Sequence, residues 1–309
     1  IEDILATGVG LHRVAQKLPF VLFEADVGGD HIQRIAGQVD DALDPDMAVV
    51  KLFGNGNADV TFGTNAARII DFRASDAAHD LKVLDNHLGD IIVVGASIEN
   101  NGTSTDMAIA RLNSDGTNDN SFSNDGRAFA NIGTGNSIAY DVEITDNDQI
   151  ILGGYGFDST TGGQAKAIAV FQLDGNLDTT FNGTGIKTFS TSVNDFLTGR
   201  SLAFLSNDRI LIAGTGGPFG SYDFCVYAVN LQGQLDNSFG NNGKVQVELG
   251  SSSNNSCNKV MVLPNNKIML LGSAFFQGSF DLTMLRLNSG IPNSIAELST
   301  LEKIKIFPN

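Results

Sequence analysis

QLDNSFGNNGKV (234–245) has near-copies upstream in TNDNSFSNDGRA (117–128) and NLDTTFNGTGIK (176–187). Each sets one Phe in a polar, Gly-rich phrase. Aligned on Phe62, Phe122, Phe181 and Phe239, the phrases are 60, 59 and 58 residues apart. An acid stands three positions before each Phe, at Asp59, Asp119, Asp178 and Asp236. Four positions after come Ala66, Gly126, Gly185 and Gly243. A second marker is the Gly closing an apolar run, at Gly37, Gly95, Gly153, Gly214 and Gly272, spaced 58, 58, 61 and 58. A third is an Asp opening an apolar run, in DMAVVKL (46–52), DMAIARL (106–112), DFCVYAVNL (223–231) and DLTMLRLN (281–288). In the third unit AIAVFQL (167–173) aligns there, with Ala167 in place of the Asp. Independent markers keeping one period define an internal repeat.

Each unit holds four candidate strands, in the second AHDLKVL (78–84), DIIVVGA (90–96), DMAIARL (106–112) and GRAFANI (126–132). These runs are short, rich in Ile, Val and Leu, and separated by turn residues. None has the length or period of an amphipathic helix. Four short strands per unit fit a propeller blade, although the period exceeds the ~40–50 residues of common propeller repeats. The N-terminal EDILATGVGLHRV (2–14) aligns with LDTTFNGTGIKTF (177–189), which places an outermost strand near residues 10–15. The last unit ends on its third strand, 281–288. The expectation is an all-β, five-bladed β-propeller of four-stranded antiparallel blades over residues 1–288, its ring closed by the N-terminal strand. Closure removes an exposed sheet edge. Residues 289–301 read as a linker, with 302–309 as a separate tail.

The formal charge of −16 disfavours nucleic acid and anionic membrane surfaces as partners. A solvated acidic surface is the plainer account of the charge; cation binding is the other. No apolar run approaches the ~20 residues of a membrane-spanning helix. Ile1 opens the chain without a basic or apolar leader, which reads as an export signal removed or left out. Two cysteines, Cys225 and Cys257, permit a disulfide in an oxidising compartment, but their strand faces need not meet.

RLNSDGTNDNSFSNDG (111–126), with the inner-strand pattern, resembles the delta-60 repeat β-propeller proteins of bacteria. The resemblance spans about residues 3–288 and is weakest in LFGNGNADVTFGTNA (52–66), which lacks the acid-Gly turn. It implies a secreted propeller and carries over no catalytic residue. EKIKIFPN (302–309) resembles the opening of the C-terminal sorting signal of the type IX secretion system of Bacteroidetes. That implies export to the cell surface or the extracellular space.

The Asp-Gly turns invite a calcium reading through Asn113, Asp115 and Asp119. LQGQLDNSF (231–239) has Gln and Gly where carboxylates would be needed, so Asx-turns are expected, with no metal and no cofactor. His12, His31, His79 and His87 lack metal spacing, and no nucleophile elbow, phosphate loop or dinucleotide fingerprint occurs. A site would therefore be assembled from different blades. The inner strands align His79-Asp80, Tyr140-Asp141, Arg200-Ser201 and Asn258-Lys259, with Lys82 and Glu143 two residues on. Asp80, Asp141 and Glu143 could act as acid and base on a glycan; the competing reading is ion pairing between blades.

The loops between second and third strands vary most, and variable loops on a rigid scaffold are where binding tends to reside. They contribute Tyr155, Phe219 and Phe275. His79, Tyr140, Arg200, Asn258, Tyr155, Phe219 and Phe275 are accordingly the candidate ligand-binding residues, and the Asp and Phe of each phrase are structural. The leading expectation is a monomeric, non-enzymatic binding module for an extracellular polysaccharide or protein. The alternatives are a channel-centred glycan hydrolase or lyase and a structural adhesive repeat.

Overall fold

In the computed structural model, residues 20–24, 33–39, 45–72, 75–84, 87–98, 104–190, 196–206, 208–218, 220–249, 254–276 and 279–288 are described. The expected strand at 10–15, the linker at 289–301, the tail at 302–309 and Phe219 lie outside them. The first sheet runs β1 (Phe20–Glu24), β2 (Gln33–Val39), β3 (Asp46–Leu52) and β4 (Ala67–Ile70) in spatial order. The second runs β5 (Asp76–Leu84), β6 (Asp90–Ile98), β7 (Thr105–Leu112) and β8 (Arg127–Ala130). The third comprises β9 (Ile138–Ile144), β10 (Ile150–Asp158), β11 (Gly163–Phe171) and β12 (Ile186–Phe189). The fourth comprises β13 (Thr198–Ser206), β14 (Arg209–Gly216), β15 (Asp223–Asn230) and β16 (Lys244–Val247). The fifth has three described strands, β17 (Ser256–Leu263), β18 (Lys267–Phe276) and β19 (Ser279–Asn288). Neighbours in sequence pair antiparallel. The chain is thus all-β, with about five antiparallel units, four of them four-stranded among the described residues.

It divides into two compact units, 1–152 with 169–178 and 153–168 with 179–309, and the division runs through the third sheet. The strands form because their apolar residues alternate or run continuously over four to ten positions, then break at Gly, Asn or Asp. In the first unit Met47, Val49, Phe62, Ile70, Leu81, Ile91, Val93, Ala108 and Leu112 form one buried cluster drawn from the first two sheets. In the second, Leu211, Phe224, Val226, Phe239, Val260, Leu270 and Leu285 do the same for the last two.

The repeated phrase is the turn from the third strand of a sheet into its fourth, and it packs against the next repeat. The Asp backbone N–H donates to the third strand, Asp59 to Lys51 O, Asp119 to Arg111 O, Asp178 to Val170 O and Asp236 to Ala228 O. One carboxylate oxygen then accepts from the amide and hydroxyl two residues on, at Thr61, Ser121 and Ser238. This is the expected Asx geometry. The Phe N–H returns to the Asp carbonyl in three phrases, and Gly126, Gly185 and Gly243 donate to the Phe carbonyl. Those glycines sit at φ of +83°, +81° and +84°, while Ala66 carries the same left-handed bend at +70°.

The residue after each Phe is bound by the next repeat's turn, Gly63 by Asp115 O, Ser123 by Asp174 O and Asn182 by Gln232 O. Gly116 and Gly175 lie so close to the preceding Phe that an added Cβ would come within 3.0 Å of the Phe62 ring and 3.2 Å of the Phe122 ring. Asp115, read above as a potential calcium ligand, is engaged by the amide and hydroxyl of Thr117, which hold its carboxyl below the usual range.

The second oxygen of each Asp takes a donor whose origin changes between units. Lys51 pairs with Asp59 at 3.0 Å and Arg111 with Asp119 at 3.0 Å, both bases being on the third strand. Where that strand has Val170 and Ala228, the donor comes from the start of the second strand: Gln149 bonds Asp178 at 2.6 Å and Arg209 pairs with Asp236 at 2.9 Å. Asp90, at the equivalent position in the second sheet, pairs instead with Arg111 at 2.9 Å.

The same hydrogen bonds correct one alignment. Val170 is equivalent to Arg111, so Ala165 occupies the place of Asp106 and Ala167 falls two residues further on. Cys225 and Cys257 are buried free thiols, so no disulfide joins them.

Candidate functional site

The first strands of the second, fourth and fifth sheets carry a β-bulge at the positions singled out in the sequence. In β5 the register passes from Ala78↔Gly95 to Asp80↔Val94, which makes His79 the extra residue of the bulge. In β13 it passes from Gly199↔Gly214 to Ser201↔Ala213, with Arg200 as the extra residue, and in β17 from Cys257↔Gly272 to Lys259↔Leu271, with Asn258 as the extra residue. An extra residue re-aims its side chain and bends the strand. It also presses a backbone carbonyl over the partner strand. A Cβ on Gly95, Gly214 or Gly272 would lie 1.9 Å from the carbonyl oxygen of Ala77, Thr198 or Ser256. The recurring Gly of the second marker is therefore the strand's accommodation of the bulge in these three sheets. Gly153 instead makes room for Leu202, whose Cγ an added Cβ would approach to 2.5 Å.

Within the first unit the structure brings β5 and β9 together, and with them most of the constellation. The His79 and Tyr140 rings, both half-buried, lie 4.8 Å apart between centroids at 40°. Beneath them Asp80 and Asp141 are buried and hydrogen-bonded to each other, and Val142 N donates to Asp80 Oδ2 at 2.9 Å. A carboxyl–carboxyl hydrogen bond requires one proton. Burial, followed by the hydrogen bond and charge of Asp141, pushes Asp80 up to about 8 against the N–H groups of Val142 and Leu81. Lys82 pairs with Glu143 at 3.1 Å on the solvent side.

The pH consequence follows from linkage. Folded Asp80 holds its proton to about pH 8, whereas an unfolded Asp releases it near ~4. The folded state binds more protons in that window, so this group's contribution to stability declines as pH rises through it. Asp80→Asn keeps an uncharged donor toward Asp141. Urea melts from about pH 6 to about pH 8 should show wild type losing up to ~1.4 kcal/mol per pH unit and the variant losing markedly less.

In the second unit Arg200 and Asn258 are exposed, Tyr155 is half-buried, and Phe275 is half-buried against Phe280, its cross-strand partner, at 5.1 Å. Phe280 is 59 % exposed and was not singled out in the sequence. Lys166 was also missed. It is fully buried, and its Nζ donates to Thr198 O at 2.9 Å and to Thr215 O. Burial lowers it to about 8. It occupies the place of Met107 in a run of apolar neighbours, where only an alignment on the correct register would reveal it.

Two stretches, 89–122 and 146–181, match the profile of the family described as "Domain of unknown function (DUF5122) beta-propeller". Each ends on the Phe of the phrase, at Phe122 and Phe181, so the matched portion runs from the second strand through the turn. The chain is accordingly of β-propeller repeat type. No curated protein matches it. Among solved structures, the β-propeller domain of the Trilobed protease from Pyrococcus furiosus aligns with TM-score 0.40 and 8 % identity, over 87 % of this chain and 68 % of that one. Pyrococcus horikoshii acylaminoacyl peptidase gives 0.39 and 8 %, over 88 % and 38 %. Sqt1 from Chaetomium thermophilum gives 0.38 and 13 %, over 87 % and 62 %.

Proposed function

We propose that the chain is a secreted or cell-surface β-propeller binding module without catalytic activity, and that it takes an extracellular polysaccharide. The observation that carries this reading is the bulge. A device built at the same position into the first strands of the second, fourth and fifth sheets holds His79, Arg200 and Asn258, side chains that do not repeat, on a scaffold that does. The close, tilted His79 and Tyr140 rings offer an aromatic face on the two strands that also carry the Lys82–Glu143 pair, the kind of amphipathic surface that meets a sugar ring. A protein partner is the other candidate.

The finer expectations belong to the same reading: five blades of the delta-60 type, a ring completed by residues 10–15 against the fifth sheet, and export through a type IX signal beginning at 302–309. The hydrolase alternative required carboxylates free to act on substrate. Glu143 pairs with Lys82, and Asp80 is buried beside Asp141 and accepts from the Val142 amide, which supports the binding reading over the hydrolase one. Among the described residues no helix is long and apolar enough to cross a membrane.

A glycan array probed with wild type and with the His79→Ala/Tyr140→Ala double variant tests the proposal. Binding to one polysaccharide class, weakened at least ~tenfold in a variant that melts like wild type, is the expected result; stacking groups at a ligand's centre commonly carry that much. Undiminished glycan binding by the variant would refute the assigned surface. Silence on the array with capture of a protein partner would refute the polysaccharide assignment.

A further inference from the structure

Asp46 opens β3, Asp71 follows β4, and Asp76 opens β5. Because Met47 pairs with Ile70, Asp46 and Asp71 continue the β3–β4 register, and the short link to β5 returns Asp76 to the same place. One carboxylate oxygen from each lies within 4.8 Å of one from each of the others. Asp71 is exposed and Asp46 half-buried, whereas Asp76 is 0 % exposed. Phe72 N donates to Asp76 Oδ2 at 2.6 Å, but Asp76 Oδ1 is buried without a hydrogen-bond partner. The Ser97 hydroxyl, across the β5–β6 register, is near enough to favour the ionised carboxyl yet outside hydrogen-bond geometry.

The other repeats show what this position ordinarily does. Asp76 N donates to Pro45 O, Ser137 N to Thr105 O, and Asn255 N to Tyr222 O, which makes Asp76, Ser137 and Asn255 equivalent. Each lies beside the Asp that opens its third strand, at 46, 106 and 223. In the fourth sheet that Asp is well served: Asn255 Nδ2 donates to Asp223 Oδ1 at 3.2 Å and Gln246 Nε2 reaches Asp223 Oδ2 at 3.4 Å. The first sheet puts Asp76 and Ile69 at those two positions, so both amide donors are replaced, one of them by a second acid. Burial, opposed by Ser97 and the Phe72 amide and reinforced by the charges of Asp46 and Asp71, holds Asp76 up near about 6. A buried carboxylate with one unpartnered oxygen, beside two more acids, is costly unless a counter-charge sits among them.

We infer that Asp46, Asp71 and Asp76 form a binding site for a hard divalent cation of the calcium type, the ion taking the place that the Asn255 amide occupies in the fourth sheet. All-oxygen ligands select such ions over softer transition metals. The exposed side at Asp71 leaves room for the waters that complete six to eight ligands, a flexible requirement that suits Ca²⁺ better than octahedral Mg²⁺.

Calorimetric titration of EDTA-treated, dialysed full-length protein with CaCl₂ near pH ~7.5, together with thermal melts in CaCl₂ and in EDTA, tests the site. Wild type should bind one Ca²⁺ with a dissociation constant on the order of 0.1–1 mM and melt several degrees higher in excess CaCl₂. Asp76→Asn should bind at least ~tenfold more weakly, because ligand charge sets affinity. It should also melt in EDTA at or above wild type, its amide doing for Asp46 what Asn255 does for Asp223. Asp71→Asn, at an exposed position, should lose affinity too. No response of wild type to CaCl₂, an equal response to MgCl₂, or undiminished binding by both variants would overturn the assignment.

Discussion

Phe122→Ala should cost about 3–5 kcal/mol of folding stability, read as a lower midpoint in urea. The ring is 0 % exposed, and it is also what the next repeat's turn rests on, since Gly175 lies where a Cβ would come within 3.2 Å of it. Truncation therefore leaves a cavity and removes the seat of the turn whose Asp174 carbonyl accepts from Ser123 N. Phe122→Leu should recover a good part of the loss, because an aliphatic side chain refills much of the volume. A loss below about 1 kcal/mol for the alanine variant would mean that the phrase is not what joins the repeats.

Gly214→Ala should be at least as damaging, by roughly 3 kcal/mol or more, although it adds only a methyl group to a buried strand. Its Cβ would lie 1.9 Å from Thr198 O, and backbone atoms on both strands would have to part to admit it. The bulge at Arg200 is the structure that would yield. The expected signature is a lower melting temperature together with altered solvent protection of the β13 amides in hydrogen exchange. A variant with unchanged stability and protection would show that the bulge is not held by this contact. Glycine in a strand is ordinarily a weakness; here it is the one residue that lets the backbones approach.

Much of this scaffold was legible in the sequence because each copy repeats the residues that backbone geometry demands. Asp119 must accept the Ser121 amide, Gly126 must adopt a positive φ, and Phe122 must fill the core. Those demands recur at every turn, so the markers recur as well. Register was less legible. A slip of two residues keeps the same face inward, so Ala167 and Ala165 are indistinguishable by hydrophobic pattern. Only the hydrogen bond from Asp178 N to Val170 O separates them.

The bulges left a trace, the recurring glycine, whose meaning depends on knowing what lies across the strand. His79, Arg200 and Asn258 could be aligned with one another without revealing why they are equivalent. Asp76 was hidden for a related reason. The segment from Asp71 to Asp76 is one residue shorter than its counterpart from Asn131 to Ser137, and nothing local marks one acid as the equivalent of Asn255. The raised carboxyl of Asp80 likewise depends on two strands meeting that are separated by about sixty positions.

The central claim is a division of labour: the repeating residues hold the fold, and the bulged residues are free to differ. The measurement that tests it most directly is saturation substitution at Asp119, Phe122 and Gly126 beside His79, Arg200 and Asn258, scored by the fraction of each variant that stays folded and protease-resistant. The expected result is that the three bulge positions accept most residues, polar or charged, with folded yield near wild type, while the turn positions accept few. Bulge positions as intolerant as Phe122 would contradict the claim, since His79, Arg200 and Asn258 would then be scaffold with no freedom to evolve toward a ligand.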